Sequence, residues 1–231
     1  MDYNHSSITY KGLETKFKIK KGVFMIDLNN LNAVNKILGK SYNISDCVKP
    51  DTQGSRSEVY HIDNKYTFKV CTRDYKEEKA ALERLKGKYF VPKVYGFDDS
   101  LNIIVMEKLN GEFFHEYISN HNELPPQLIN TWYDIRIEML NNLCCDYDEK
   151  LSELCWLNEQ VKKVDYGQTE CYTDQKNIKD KFVSDIKILE EERLKLLKND
   201  EDQWEVFARD LMREGVPKDL VKNYKNNFKA K

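Results

Sequence analysis

Lys69 and Glu78 are charged residues that fall where the surrounding sequence predicts burial. Lys69 lies within an apolar strand, Thr67–Val70, whose neighbouring side chains point to the opposite face. Glu78 shares a predicted helix face with the residues three, four and seven positions on, which are Ala81, Leu82 and Leu85. A carboxylate on a buried face requires a cation, and Lys69 is the expected partner. Glu77 is the alternative to Glu78 as the partner of Lys69. If neither residue has a chemical role, Lys69 is an exposed strand lysine and Glu78 is a glutamate at the edge of the helix.

A turn before this strand has the features that phosphate binding requires. Phosphoryl transfer from ATP needs a cover for the phosphates, a cation beside them, an acid that holds this cation, carboxylates for Mg²⁺ and a carboxylate for the incoming hydroxyl. Backbone N–H groups around Gly54, Ser55 and Ser57 would face phosphates, and Val59 would cover an adenine. A single glycine in a turn is also typical of a hairpin without a ligand.

The first half of the chain shows the alternation that is typical of strands. Hairpins are predicted at residues 15–27, with a turn at Lys21-Gly22, and at residues 51–70, with a turn at Asp63-Asn64. Two further strands are predicted at residues 91–94 and 101–106. Helical spacing predicts a short helix at 31–38 and a second one that runs from a capping box at Asp74 and Glu77 through Lys86. We therefore expect an antiparallel sheet that carries one helix.

Helical periodicity dominates after Gly111. Helices are predicted at about 112–119, 127–142, 174–198, 201–214 and 217–228, and two short strands flank a turn at 157–159. The predicted fold class is α+β. We expect an N-terminal extension at 1–45, a mostly β lobe at 46–110 and a mostly helical lobe at 111–231.

The order of charged residues between 146 and 167 resembles that of the protein kinase superfamily. The pattern Asp146-Tyr147-Asp148-x-Lys150-x-x-Glu153 is similar to the kinase catalytic loop H-R-D-x-K-x-x-N, and Asp165-Tyr166-Gly167 is similar to D-F-G. Lys69 and Glu78 resemble the strand lysine and the helix glutamate of kinases. The resemblance covers residues 50–170 in order and implies a two-lobed, kinase-like fold.

The resemblance also implies a role for each matching residue of the second half. Asp148 would accept or orient the proton of the substrate hydroxyl, and Lys150 would neutralise the γ-phosphate. Asp165 would chelate Mg²⁺, and Glu153 would stand where the family has a metal-binding Asn. ATP and Mg²⁺ are therefore the expected cofactors.

The segment 104–111 resembles the part of a kinase that contacts adenine. Met106 would be the gatekeeper, and the backbone of Glu107, Lys108 and Leu109 would face the base. Cys155, which follows the catalytic-loop pattern, completes the expected set of nucleotide contacts.

The chain also departs from the kinase pattern. Gly54 is the only clear glycine of the phosphate turn, Asp146 replaces His, and Glu153 replaces Asn. A carboxylate is a good ligand for a hard cation, so Glu153 remains compatible with metal binding. Only 64 residues follow Gly167, without an A-P-E sequence. The expected kinase has a reduced C-terminal lobe, similar to the minimal kinases of bacterial effectors and viruses.

Composition excludes several classes of protein. The 37 basic and 39 acidic side chains leave a formal charge of −2, which argues against a protein that coats nucleic acid. No apolar stretch predicts a membrane anchor or a signal peptide. The six cysteines lack zinc-site spacing and are expected to be free thiols of a cytoplasmic protein, in a host cytosol if it is an effector or viral protein.

The favoured function is a Ser/Thr-type protein kinase with a protein substrate, and the need for an activating protein partner stays open. Retention of Lys69, Asp148, Lys150 and Asp165 together favours catalysis. A small-molecule kinase of the aminoglycoside-phosphotransferase kind is one alternative. A catalytically weak or inactive pseudokinase that serves as a protein-binding module is the other, because several family positions are altered.

Overall fold

The computed structural model describes residues 26–49, 56–157, 160–173 and 175–229, and these residues form the mixed α+β fold expected from the sequence. The helices of the described part are α1 (Leu28–Leu38), α2 (Tyr75–Arg84), α3 (Phe114–His121), α4 (Leu128–Asn141), α5 (Lys176–Leu197), α6 (Glu201–Arg213) and α7 (Lys218–Lys229). None of them, within that part of the chain, combines the length and the apolar character that a membrane span requires.

The largest sheet is antiparallel and has five strands. They are β1 (Cys47–Val48), β2 (Ser57–Ile62), β3 (Tyr66–Cys71), β4 (Val94–Asp98) and β5 (Ile103–Glu107), in the spatial order β1-β2-β3-β5-β4. The predicted turn between β2 and β3 is confirmed, because Asp63 and Asn64 have φ values of 51° and 50°. Asp and Asn adopt this left-handed conformation more readily than other non-glycine residues. The resulting register places Lys69 opposite Val59.

Helix α1 packs against one face of this sheet. Leu31 and Val34 are buried in one cluster with Phe68 of β3 and Val105 of β5. Each apolar side chain of this size stabilises the fold by about 1.5–3 kcal/mol when it is fully buried. The helix predicted at 31–38 is thus present and belongs to the core of the sheet. The hairpin predicted around Lys21-Gly22 lies outside the described residues.

Helix α2 packs on the other face of the sheet, and it begins differently from the prediction. Asp74 has a left-handed φ of 58°, and its carboxylate accepts a hydrogen bond from Arg56 (2.9 Å). The capping box predicted with Glu77 is therefore wrong, because the Asp74 side chain is engaged by an ion pair. The helix ends at Arg84 rather than at Lys86.

The strand predicted at 91–94 is displaced along the chain. β4 begins only at Val94 and extends to Asp98. Pro92 lies within the predicted segment and has no N–H to donate to a neighbouring strand, which explains the shift.

Two small sheets accompany the later helices. One contains β6 (Glu112–Phe113), β8 (Leu154–Leu157) and β9 (Gln160–Lys163), and the other contains β7 (Cys144–Asp146) and β10 (Thr169–Cys171). The strands β8 and β9 match the predicted pair, and residues 158 and 159 of their turn lie outside the described residues. A glycine is required at 111, because a Cβ there would lie 2.1 Å from the Trp156 carbonyl oxygen.

Helices α3 to α7 share a second hydrophobic core with α2. Trp204 of α6 is almost fully buried there, and its indole N–H donates to the Leu196 carbonyl oxygen (3.1 Å). The four helices predicted between 127 and 228 correspond to α4, α5, α6 and α7. The helix predicted at 112–119 begins only at Phe114, because the two preceding residues pair with β8.

Candidate functional site

A buried ion pair joins the large sheet to α2. Lys69 Nζ lies 2.6 Å from Glu78 Oε1, and both side chains are almost fully buried. Alternation along β3 produces this placement, since Phe68 faces α1 and Lys69 therefore faces α2. The expected contact between Lys69 and Glu78 is present, whereas Glu77 is exposed.

Asp165 is the second carboxylate at Lys69. Its Oδ1 lies 3.5 Å from Lys69 Nζ and accepts a hydrogen bond from the Gly167 N–H (3.2 Å). The residue has a left-handed φ of 65°, and 57% of its side chain is exposed. Non-glycine residues in such conformations are concentrated at functional sites, where the surrounding structure maintains them.

The opposite charges of Lys69 and Asp165 stabilise each other. Burial lowers the pKa of Lys69, but the carboxylates of Glu78 and Asp165 outweigh this effect, and the pKa is raised. Burial raises the pKa of Asp165, but the Lys69 ammonium and the Gly167 N–H outweigh it, and the pKa is lowered. Both groups are therefore charged at neutral pH.

Asp148 and Lys150 lie in the loop that follows β7. Lys150 Nζ donates to Asp148 Oδ2 (2.5 Å), and Gln168 Nε2 donates to the same oxygen (2.5 Å). The Asp148 N–H donates to Asp146 Oδ1 (3.0 Å), which attaches the loop to the end of β7. The Asp148 and Lys150 side chains are 38% and 46% exposed, so a ligand can reach both.

Lys163 is a charged residue of this region that the sequence analysis did not select. Its Nζ lies 2.8 Å from Asp146 Oδ2, forms an ion pair with Glu153 and donates to the Asp165 carbonyl oxygen (3.0 Å). Only 3% of its side chain is exposed. Strand alternation could have indicated that Lys163 is buried, because Val161 and Lys163 occupy the two buried positions of β9.

The Lys163 contact changes the interpretation of Glu153. Burial raises the pKa of Glu153 to about 7, although the Lys163 ammonium opposes this shift. Burial lowers the pKa of Lys163, but its two carboxylate partners outweigh it, and the pKa is raised. The carboxylate expected to bind Mg²⁺ is thus engaged by an ammonium group. Within the described residues, no group of three or more His, Cys, Asp or Glu side chains is arranged to hold a metal ion.

Two cavities meet at Lys69. The first has a volume of about 190 Å³ and includes Asp148 and Lys150 in its charged lining. The second has a volume of about 350 Å³, and its apolar lining consists of Val59, Met106, Leu109, Phe113 and Val164. Ser57, Lys69 and Asp165 line both cavities. A ligand with an apolar part and a charged part therefore fits across Lys69.

The end of β5 and the segment that follows it border the apolar cavity through Glu107 and Leu109. The Glu107 N–H donates to the Lys93 carbonyl oxygen (2.8 Å), and the Lys108 N–H donates to the Lys65 carbonyl oxygen (2.8 Å). Among the residues that the structure describes, the Leu109 N–H has no hydrogen-bond partner. Leu109 is therefore the position where this segment offers a backbone donor to a ligand.

Three further residues were expected from the sequence to contact the nucleotide. Gly54 and Ser55 lie outside the described residues. Cys155 is fully buried on β8 and does not line either cavity. Arg56 and Arg73 line the charged cavity and were not selected from the sequence, although their positive charges flank the hairpin of β2 and β3.

Comparisons with known proteins assign no family to this chain. No protein-family model matches it, and no curated protein matches it. The function is therefore inferred from the geometry of the described residues.

Proposed function

We propose that this chain is an ATP- and Mg²⁺-dependent phosphotransferase with a two-lobed, protein-kinase-like fold, and that it transfers the γ-phosphate to a Ser or Thr hydroxyl of a protein. The observation that carries the proposal is the meeting of an apolar and a charged cavity at Lys69. The apolar cavity falls within the range of roughly 300–1,000 Å³ that is usual for small-molecule sites. In this proposal the large sheet belongs to one lobe and α4 to α7 belong to the other.

The apolar cavity would receive the adenine. Val59, Met106 and Val164 offer apolar contacts to the base, and the Leu109 N–H offers a hydrogen bond to a ring nitrogen. The phosphates would then extend toward Lys69. The ion pair with Glu78 holds the Lys69 ammonium in place, so little side-chain freedom is lost when a phosphate binds.

Asp165 is the residue best suited to hold Mg²⁺. Its carboxylate is charged, more than half exposed and part of both cavity linings. Proteins commonly bind Mg²⁺ through one or two carboxylates together with substrate phosphates. A bound Mg²⁺ would neutralise negative charge on the phosphate oxygens during transfer. We assign Glu153 a different role, the anchoring of Lys163, because its carboxylate pairs with that ammonium.

Asp148 and Lys150 would carry out the transfer step. The acceptor hydroxyl oxygen forms a bond to the γ-phosphorus while the bond from that phosphorus to the bridging oxygen breaks and ADP leaves with the electron pair. Asp148 orients the hydroxyl and accepts its proton, and Lys150 donates to an oxygen of the transferred phosphate. Gln168 holds the Asp148 carboxylate in position.

The openness of this end of the site favours a protein substrate. Asp148 and Lys150 are accessible to solvent rather than enclosed. A hydroxyl on a protein surface can therefore approach Asp148 without the site having to open. A small-molecule kinase instead gains affinity by burying most of its acceptor's surface.

A nucleotide-binding module without transfer is the second candidate function. The observation that favours it is that Glu153 pairs with Lys163 and Asp148 pairs with Lys150. A protein of this kind would bind ATP in the same two cavities and use its surface to contact a partner.

The test is to incubate the purified chain with Mg²⁺ and γ-labelled ATP, alone and with a eukaryotic or bacterial lysate. Label on proteins supports the proposal, and label on small molecules supports a kinase of the aminoglycoside-phosphotransferase kind. ATP binding without movement of label supports the second candidate. Binding is measured in parallel with a fluorescent ATP analogue.

Two matched lysine variants connect this test to the site. Lys69→Met should reduce labelling to background, because it removes the cation at the junction of the cavities. Lys79→Met is the control, since Lys79 lies on the same helix as Glu78 and pairs with the exposed Asp99 (2.7 Å). Equal labelling by both variants would show that Lys69 has no role in transfer.

A further inference from the structure

Cys144 and Cys171 form a close pair of thiols that the proposed function does not use. Cys144 lies on β7 and is fully buried, and Cys171 lies on β10 and is partly exposed. Their Sγ atoms are 2.8 Å apart. This distance is longer than a covalent S–S bond of about 2.05 Å and shorter than ordinary contact between two sulfur atoms.

Strand register explains why the two thiols meet. Cys144 lies directly opposite Cys171 in the antiparallel pair of β7 and β10. The Tyr172 N–H donates to the Leu143 carbonyl oxygen (2.8 Å), which makes the adjacent residue pair a hydrogen-bonded one. Hydrogen-bonded and non-hydrogen-bonded pairs alternate, so the two cysteines occupy a non-hydrogen-bonded pair. In such pairs the Cα atoms are about 4.5 Å apart, which lies within the range of about 4.4–6.8 Å found in disulfides.

The surroundings distinguish the two thiols. The Arg84 guanidinium donates to the Asn142 and Tyr172 carbonyl oxygens, and so lies beside both strands. The contact with Cys144 and the charge of Arg84 lower the pKa of Cys171, although burial opposes this shift. The same contact and burial raise the pKa of Cys144. Cys171 is thus both the more accessible thiol and the one that forms a thiolate more readily.

We propose that Cys144 and Cys171 are a reversible disulfide site that closes when the protein meets a two-electron oxidant such as hydrogen peroxide. The Cys171 thiolate attacks one peroxide oxygen, the O–O bond breaks, and protonation releases water and leaves a sulfenic acid. Cys144 Sγ then attacks the Cys171 sulfur, loses its proton and expels the sulfenic oxygen as a second water. Two thiols lose two electrons in total, and one peroxide is reduced to two waters.

The bond would enclose the site residues in a covalent loop. Asp148, Lys150 and Asp165 all lie between the two cysteines in sequence. A cross-link across β7 and β10 would tie together the strands that precede Asp148 and follow Asp165. The proposal does not depend on the proposed function, because bond formation requires only the two thiols and the oxidant.

The test uses the reduced full-length chain, freed of reductant and treated with increasing hydrogen peroxide. The expected result is the loss of two thiols per chain, a linked peptide that contains Cys144 and Cys171, and complete reversal by dithiothreitol. The melting temperature of the oxidised chain should rise by roughly 5–10 °C. Peptide mapping of the wild-type chain needs no variant and therefore does not depend on how a substitution affects folding.

Two serine variants complete the experiment. Cys171→Ser should yield no linked peptide, whereas Cys145→Ser should yield the same peptide as the wild type. Cys145 is the matched control because it is the next residue of β7 and lies opposite Glu170 rather than a thiol. The proposal is overturned if peroxide oxidises cysteines to sulfinic acid without linking Cys144 to Cys171, or if the linked peptide contains other cysteines.

Discussion

Lys69 and Lys163 are two buried lysines that each lie between two carboxylates, and the exposure of their partners differs. Lys69 pairs with a buried helix glutamate and with Asp165, which has a side chain that is 57% exposed. Lys163 pairs with Asp146 and Glu153, which have side chains that are 3% and 13% exposed. An ammonium with a solvent-accessible partner can exchange that partner for an anionic ligand. An ammonium enclosed by buried carboxylates holds chain segments together instead.

The positions of the two lysines relative to the cavities agree with this distinction. Lys69 lines both cavities at the site, and Lys163 lines neither of them. Lys163 connects β9 to the end of β7 and to the short 3-10 helix at Leu151–Glu153. We therefore expect substitution of Lys163 to act mainly on stability, and substitution of Lys69 to act on ligand chemistry as well as on stability.

The largest expected effect is the loss of stability in Lys163→Met. The substitution leaves Asp146 and Glu153 buried without their cation, and breaking a buried pair in this way costs about 3–5 kcal/mol. Urea denaturation followed by circular dichroism measures the free energy of unfolding. Lys162→Met is the matched control, because Lys162 is the adjacent lysine of β9 and pairs with the less buried Glu107 (2.6 Å). A cost below about 1 kcal/mol is expected there.

A double variant tests the reason for this loss. Lys163→Met combined with Asp146→Asn removes the carboxylate that would be left buried without a cation and should recover about half of the lost free energy of unfolding. No recovery, or a cost for Lys163→Met as small as that of the control, would show that the Lys163 cluster does not stabilise the fold.

The second prediction concerns the exposed partner of the other lysine. Asp165→Asn should reduce phosphoryl transfer by roughly 10²–10³-fold, because the amide cannot replace a charged oxygen ligand for Mg²⁺. The free energy of unfolding should change by less than about 1 kcal/mol, since Lys69 keeps Glu78 as its partner. The transfer rate is measured with γ-labelled ATP. Full transfer by Asp165→Asn would remove Asp165 from the proposed mechanism.

The third prediction is that the titration of Glu153 makes the free energy of unfolding depend on pH. Its pKa is raised from the ordinary 4.5 to about 7 in the folded protein. Between these values the folded state binds more protons than the unfolded state, so the free energy of unfolding falls as pH rises. The stabilising contribution is complete below pH 4.5 and is lost as pH passes 7, and it amounts to at most about 3 kcal/mol.

Glu153→Gln isolates this contribution, because the amide does not titrate. The difference in free energy of unfolding between wild type and variant should decrease from pH 4.5 to pH 7. Denaturant curves at several pH values measure it. A difference that stays constant across this range would mean that Glu153 has no raised pKa.

The sequence predicted the Lys69 side of this comparison better than the Lys163 side. The contact between Lys69 and Glu78 followed from two local periodicities, the alternation of a strand and the spacing of a helix face. The ion pair of Glu153 did not follow, because its partner Lys163 lies ten residues away on β9. A metal ligand and an ion-pair partner have the same side-chain chemistry, and only the three-dimensional position of the nearest cation distinguishes them.

Other differences between expectation and structure come from contacts between residues distant in sequence or from segments too short to show a pattern. The spacing of Asp74 and Glu77 fits a capping box, yet the Arg56 ion pair, formed with a residue distant in sequence, engages Asp74. The strands β7 and β10 are only three residues long and were not predicted, since such short segments carry no measurable alternation. Pairing between these two strands is what brings the two cysteines together.

The smallest expected effect distinguishes two adjacent glutamates of α2. Glu78→Gln should reduce phosphoryl transfer about tenfold, because Lys69 loses the charge that positions its ammonium at the junction of the cavities. Glu77→Gln should leave transfer within about twofold of the wild type, since Glu77 is exposed. Steady-state kinetics with varied ATP should show the Glu78 effect chiefly in kcat, because the apolar contacts to the base remain. Equal losses in both variants, or a loss only in Glu77→Gln, would show that the Lys69–Glu78 pair is not the one that serves transfer.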